Sequence, residues 1–210
     1  MIGFDRAGWP FLLGAVVLAL AGAGLGGRWW ALPGTLLALG FLFFFRDPER
    51  PLPADQSLIL SPADGKVMAV GPAGADAPPG TWQQVTIFLS PLDVHVNRAP
   101  VSGRVTKVSY KAGQFLPAYR PESGALNEQS EVWVDHDGRT AIFRQVVGLL
   151  ARRVVCRVQV GDALAVGDRV GVMKFGSRMD VFLPTDIRVL VKPGDRVVAA
   201  TTLLGRWTGA

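Results

Sequence analysis

Two uncharged, apolar runs at the N-terminus constrain this chain more than any other feature. Ala7 to Gly27 reads AGWPFLLGAVVLALAGAGLGG; past Arg28, Trp29 to Phe45 reads WWALPGTLLALGFLFFF. A helix that crosses a bilayer needs about 20 apolar residues, within a range of roughly 17 to 25. Both runs fall in that range, the second at its lower edge. They predict two apolar helices joined at Gly26-Gly27-Arg28 into a hairpin held at a membrane. Trp9, Trp29 and Trp30 stand at the run edges, where interfacial aromatics are favoured. Arg6 precedes the first run, Arg46 and Arg50 follow the second, and Arg28 stands alone on the other side. The positive-inside bias then puts both ends, and the rest of the chain, on the cytoplasmic face of the cell membrane. A cleaved signal peptide, with Ala-Gly-Ala-Gly as its cleavage site, is disfavoured by the second apolar run. A hairpin that dips into one leaflet without crossing stays open.

Beyond the hairpin (residues 1–45), the Pro-rich, charged segment RDPERPLPADQ, Arg46 to Gln56, reads as a linker. Residues 57–210 form the second domain. Here short β-branched runs alternate with Gly, Pro and Asp: LIL, GKVMAV, QQVTIFLS, GRVTKVSY, SEVWVDH, RTAIFRQVV, RRVVCRVQV and DIRVLVKPG. Their spacing predicts a sandwich or barrel, not alternating β and α units. The fold class is therefore mainly β, with an apolar α-helical hairpin in front. Gly71 to Gly80 is a loop by composition, and Tyr110 to Ser130 is expected to be a mobile loop beside a site. VQVGDALAVGDRVGVMKFGSRMDVFLP and TDIRVLVKPGDRVVAATTLLG each hold Val-rich segments around Gly-Asp turns. That echo resembles the sandwich barrel of biotinyl and lipoyl carrier domains.

Composition narrows the chemistry. The single cysteine, Cys156, excludes an intramolecular disulfide and lies in an apolar stretch, as a buried small hydrophobe does. With two histidines, and no CxxC or HExxH, a His/Cys metal site is not expected. The net charge of +5 is scattered, not gathered in a tail. It suits an anionic membrane surface as well as nucleic acid, and the apolar runs decide for the membrane.

The stretch GVMKFGSRMDVFLP, Gly171 to Pro184, admits two readings. Met173-Lys174 resembles the lysine turn of a carrier domain. Gly176-Ser177 offers a bond at which a chain can cut itself. In that chemistry a serine hydroxyl attacks the preceding carbonyl, so the residue before it must be small and conformationally permissive, as glycine is. A base must take the hydroxyl proton. His95 and His136 are the two side chains that act unperturbed as near-neutral bases. A lone Gly-Ser pair is commonly a plain turn, so the context has to supply the specificity.

Phe175-Gly176-Ser177-Arg178, together with FFFRDPER, SPADGKV, FLSPLDVHVNRAP and the Gly-Asp tail, resembles the short, pyruvoyl-dependent phosphatidylserine decarboxylases. The resemblance runs over nearly the whole chain. It implies self-cleavage between Gly176 and Ser177 into a large chain (1–176) and a small chain (177–210) that stay associated. Ser177 would become a covalent pyruvoyl group that forms a Schiff base with the substrate amine. It implies His95 as the base and proton donor, and Asp64 in PADG as the carboxylate that orients it, in parallel with the hydrolase triad. Long-form relatives carry H-x-x-H, and here Arg98 takes the second position. One histidine then serves both steps, or Arg98 takes an electrostatic part. The implied substrate is the membrane phospholipid phosphatidylserine, and the product phosphatidylethanolamine. No nucleic-acid partner is implied, and homo-oligomerisation stays open. The alternatives are a pyruvoyl decarboxylase of another amine and a non-enzymatic, membrane-tethered carrier-like module built on Lys174.

Overall fold

In the computed structural model, residues 2–149, 153–174 and 177–207 are described. The chain divides into two compact units, Met1–Glu49 and Arg50–Ala210.

The first unit is the hairpin. A short strand β1 (Ile2–Phe4) pairs antiparallel with β2 (Arg46–Pro48), which closes the base. Helices α1 (Trp9–Gly26) and α2 (Leu32–Phe44) lie between them. Asp5 opens the unit by accepting the Ala7 N–H at 2.9 Å. Gly27 turns the chain with φ +82°, a conformation that disfavours side chains. The helices touch through small residues: a Cβ on Gly34 would stand 2.4 Å from the Ala19 backbone nitrogen and 2.9 Å from the Ala15 carbonyl oxygen. Such close backbone approach marks helix pairs in lipid, where small residues replace a hydrophobic drive. Outward, α1 exposes Leu13, Val17, Leu18 and Leu20, the last at 68%. It is apolar all round, which water does not tolerate and hydrocarbon does. The helix Arg6–Gly26 is the one, among the described residues, long and apolar enough to cross a membrane; Arg28–Phe44 is apolar but shorter. The second run loses length because its first residues form a 3-10 turn, Arg28–Ala31, ahead of Pro33.

Among the described residues, the regular structure of the second unit is β save the one-turn helix α3 (Ser123–Leu126). Its strands are β3 (Leu58–Leu60), β4 (Gly65–Pro72), β5 (Trp82–Leu89), β6 (Val96–Arg98), β7 (Gly103–Lys111), β8 (Gln129–His136), β9 (Arg139–Val147), β10 (Val154–Cys156), β11 (Ala163–Leu164), β12 (Arg169–Met173), β13 (Ser177–Pro184), β14 (Arg196–Val197) and β15 (Leu203–Arg206). Eight of them make one curled sheet in the order β11-β7-β8-β9-β13-β5-β4-β14. Small sheets β10-β12-β6 and β15-β3 complete the unit. The core takes alternate residues of the long strands: Val85, Ile87 and Leu89 of β5, Ala141 and Phe143 of β9, and Met179, Val181 and Leu183 of β13. This is the period of two that puts successive side chains on opposite faces.

The Gly-Asp repeats form one device used three times. Gly161, Gly167 and Gly194 have φ of +96°, +89° and +99°. The aspartate after each turns its Oδ2 back to accept the N–H three residues earlier, at 2.8 Å (Asp162 from Gln159), 2.7 Å (Asp168 from Ala165) and 2.9 Å (Asp195 from Lys192). Two expectations change. DIRVLVKPG holds no strand; it runs beside β15 with isolated bonds such as Leu190 N–H to the Leu204 carbonyl, 2.9 Å. The 110–130 segment is tied down: Asn127 Nδ2 donates to the Leu116 and Val147 carbonyls, both at 2.8 Å, and Lys111 Nζ donates to the Ala125 carbonyl at 2.7 Å.

Candidate active site

Ser177 opens β13 at the centre of the large sheet. It stands opposite Leu89 on β5 and Val147 on β9. By the alternation of β13 it shares the core-facing side with Met179 and Val181. It is fully buried, and its Oγ has no hydrogen-bond partner among the described residues. Buried hydroxyls are rarely left so. Gly176, on the other side of the bond expected to break, lies outside the described residues.

Gln145 occupies a place where the alternation of β9 demands an apolar residue. It faces Met179 in the register, so it is diagonal to Ser177 on the same face. Diagonal neighbours lie about 7–8 Å apart, within reach of long side chains. Its Nε2 donates to Asn97 Oδ1 at 2.8 Å, and both residues are fully buried. Asn97 lies on β6, which crosses the core side in the small sheet, opposite Gly171 of β12. The ladder extends one step past β6, where the Met173 N–H donates to the His95 carbonyl at 3.2 Å. His95 is therefore two extended residues before Asn97 and shares its side of the strand. Gln145 thus links the face of the large sheet that carries Ser177 to Asn97 on β6, with His95 two residues before Asn97, and all four side chains are buried.

The imidazole is held by its own loop. His95 Nδ1 lies 2.9 Å from the Asp93 carbonyl oxygen. A carbonyl can only accept, so Nδ1 carries the hydrogen, and in the neutral ring Nε2 carries the lone pair. Asp93 is fixed in turn. Its Oδ2 accepts from the Ser90 N–H and hydroxyl, both at 2.8 Å, and its Oδ1 accepts from Arg196 Nη1 at 3.0 Å. The ring is thus aligned through a backbone oxygen that three bonds immobilise.

Asp64 follows β3 on the loop 61–64. Its carboxylate accepts from Arg50 Nη2 at 2.9 Å and from the Ala199 N–H at 2.8 Å. The same loop meets β6 through the Arg98 N–H, which donates to the Pro62 carbonyl at 2.8 Å. Arg98 is buried and donates to the Gly167 carbonyl at 3.2 Å. His136 stands apart from these residues: its ring stacks on Trp207 at 5.0 Å and 9°, with Nδ1 at the Ser102 carbonyl. Lys174 does not sit at a hairpin tip, because β12 before it and β13 after it belong to different sheets. That removes the geometry a carrier lysine needs. Sequence reasoning missed Asn97 and Gln145. Gln145 left a signal, a polar residue on the core period of AIFRQVV; Asn97 left none beyond its spacing from His95.

A profile described as phosphatidylserine decarboxylase matches residues 37–205. The chain belongs to the phosphatidylserine decarboxylase family. It is 48% identical over 184 residues to the phosphatidylserine decarboxylase proenzyme of Solibacter usitatus, covering 88% of this chain and 87% of that one. It is 46% identical over 207 residues to the proenzyme of Symbiobacterium thermophilum, covering 96% and 94%. With the proenzyme of Cupriavidus pinatubonensis it shares 41% over 206 residues, covering 95% and 93%. Phosphatidylserine decarboxylases are carboxy-lyases, so this chain is a decarboxylase, and the carrier reading falls. The match spans both the linker and the strand that Ser177 opens.

Proposed function

We propose that the chain is a proenzyme that cuts itself between Gly176 and Ser177 and then converts phosphatidylserine to phosphatidylethanolamine at the membrane. The observation that supports this reading is the fully buried hydroxyl of Ser177 with no hydrogen-bond partner among the described residues, in a unit whose core also buries His95. His95 Nε2 takes the Ser177 proton as Oγ bonds to the carbonyl carbon of residue 176. The carbon–nitrogen bond to residue 177 then breaks, and the nitrogen takes the proton back from His95, leaving an ester and a free amine. Loss of the Ser177 Cα proton expels Oγ with the carboxylate of residue 176. The dehydroalanine that remains tautomerises to an imine, and water hydrolyses it to a pyruvoyl end with release of ammonia.

Position 177 fits such a group: it is fully buried, and its side chain has no competing hydrogen bond among the described residues. The pyruvoyl carbonyls supply an electrophile for the substrate amine and a sink for the electrons left by carbon dioxide. His95 returns the proton to the α-carbon. Asp64, the carboxylate expected to orient the imidazole, bonds instead to Arg50 and the Ala199 N–H, and its part in this reading is to fix the loop 61–64 that bonds to β6. The small chain 177–210 would stay bound to 1–176, because β13 is flanked by β5 and β9, β14 pairs with β4, and β15 with β3.

Residues 1–45 serve as the membrane anchor, 46–56 as linker and 57–210 as the catalytic domain. The arginine distribution favours the cytoplasmic face. A substrate that cannot leave the bilayer is then met where it lies. The test is decarboxylation of phosphatidylserine in vesicles, followed by release of carbon dioxide and gain of phosphatidylethanolamine. Wild type is expected to be active and Ser177→Ala to be uncleaved and inactive. A Ser177→Ala protein that still decarboxylates would overturn the reading, as would a wild type that decarboxylates a soluble amine and leaves the phospholipid untouched.

A further inference from the structure

The two ends of the helical hairpin are built alike, and the stretch between them is built differently. At the base, Trp9 is 51% exposed, and the Arg46 guanidinium lies 3.9 Å from the centre of the Phe43 ring. At the tip, Trp29 and Trp30 are 68% and 69% exposed, and the Arg28 guanidinium lies 5.1 Å from the centre of the Trp29 ring. Tryptophan, and arginine with its apolar stem, settle where hydrocarbon meets water. Between the two ends no residue is charged. The one side-chain hydroxyl there, that of Thr35, donates to the Ala31 carbonyl at 3.0 Å.

Length decides how deep such a hairpin goes. The 18 residues of α1 rise about 27 Å at 1.5 Å each. The return arm is shorter in residues but not in reach. The 13 residues of α2 rise about 20 Å. The four residues of the 3-10 turn Arg28–Ala31 add about 8 Å, because that helix rises about 2.0 Å per residue. Each arm thus matches the roughly 30 Å hydrocarbon core of a bilayer. Three placements compete. Lying flat in the headgroups requires a polar face along the helix. α1 has none, since the exposed Leu13, Val16 and Leu18 point in different directions around it. Dipping into one leaflet leaves the tip in hydrocarbon. That strands the Arg28 charge and the last carbonyls of α1 away from water, where both are costly. Crossing leaves every group in the medium it suits.

We infer that the hairpin crosses the whole bilayer, with the tip, residues 27–30, among the headgroups of the outer leaflet and both ends on the cytoplasmic face. The partner of its apolar surface is the hydrocarbon of the membrane, and the partner of Arg28, Trp29 and Trp30 is the far layer of headgroups. The inference rests on the anchoring part of the proposed function and adds its depth and topology.

The chain has a single cysteine, Cys156, so a Cys156→Ser chain can carry one reporter thiol at a chosen place. Full-length chains with Arg28→Cys at the tip, or with Glu49→Cys at an exposed position past the base, are made in bacteria. Spheroplasts are treated with a maleimide that cannot pass a membrane, either intact, lysed or dissolved in detergent, and labelling is read by mass. The tip thiol is expected to react in intact spheroplasts, and the Glu49→Cys thiol only after lysis. Trp29→Cys repeats the tip measurement should Arg28→Cys fail to reach the membrane. A tip thiol that reacts only in detergent lies in hydrocarbon and overturns the inference. A tip thiol that waits for lysis, or a Glu49→Cys thiol that reacts in intact spheroplasts, overturns it too. Decarboxylation of phosphatidylserine is followed in the same membranes. Activity beside a protected tip overturns this inference alone, whereas wild-type membranes without activity overturn the reading beneath it.

Discussion

The two faces of β13 carry polar groups of opposite kinds. On the outer face, Arg178 Nε donates to Asp180 Oδ1 at 2.7 Å, and Thr86 Oγ1 donates to the same oxygen at 2.8 Å. Beside them Arg144 Nη2 reaches Glu131 Oε2 at 2.8 Å, and the Arg144 guanidinium lies 4.8 Å from the Phe182 ring. Every charge there has an opposite charge. On the inner face the groups are neutral, and among the described residues Ser177 Oγ, Asn97 Nδ2 and Gln145 Oε1 have no hydrogen bond; on the outer face Asp180 Oδ2 and Arg144 Nη1 also lack one, but each belongs to a paired charge. Paired charges hold a sheet in register; a buried neutral hydroxyl without a hydrogen bond is left free to react. The difference separates what keeps β13 in place from what makes its first residue reactive, although the two sets are one residue apart.

The comparison is broken most easily at His95. His95→Gln, which keeps most of the buried volume, is expected to lower the rate of self-cleavage by about 10²–10⁴-fold, the usual worth of a general base, while thermal unfolding changes little. If unfolding shifts as much as the rate, the inner face is structural after all. The outer face should respond the other way. Asp180→Ala leaves the Arg178 guanidinium buried and unpaired, which costs about 3–5 kcal/mol in denaturant unfolding. Measured in a Ser177→Ala background, the loss appears without interference from cleavage. In the Ser177 form, the molecules that fold should still cut near the wild-type rate. Thr86→Val removes one hydrogen bond to that carboxylate and is expected to cost about 1.5–3 kcal/mol.

The smallest effect concerns pH. The Asp55 carboxyl is held below its ordinary value, first by the Ser57 hydroxyl, then by the Ser57 N–H, with Arg206 adding to this. A depressed folded-state value gives stability that is present above the unfolded value and is lost as pH falls through the folded one. Melting curves of Asp55→Asn and wild type should therefore converge in acid and differ slightly at neutral pH. A difference that grows in acid would contradict the assignment.

Much of this was legible in the sequence. The uncharged runs announced the hairpin, although the 3-10 turn at Arg28–Ala31 shortened its second helix. The Gly-Asp pairs announced their turns, because a glycine at positive φ followed by a capping carboxylate is a local device. The roles of Ser177, His95 and Asp64 came from the family resemblance, and the cleavage experiments are their test. What was not legible depends on contacts between distant segments. The imidazole's partner is a backbone oxygen, that of Asp93, which no residue type reveals. Asn97 gains its meaning only when β6 crosses over β9 and meets Gln145. The run DIRVLVKPG has strand composition, yet it meets β15 only through isolated bonds such as Leu190 N–H to the Leu204 carbonyl. Local pattern proposes strands, and the sheet decides which are used.

The central claim is that the bond before Ser177 breaks by the chain's own chemistry. Intact-mass measurement of the purified wild-type protein tests it most directly. The account predicts two chains, residues 1–176 and 177–210, with the small chain lighter by one ammonia than a plain serine-ended fragment and closed to Edman sequencing. A single chain of full mass in an active preparation would contradict it.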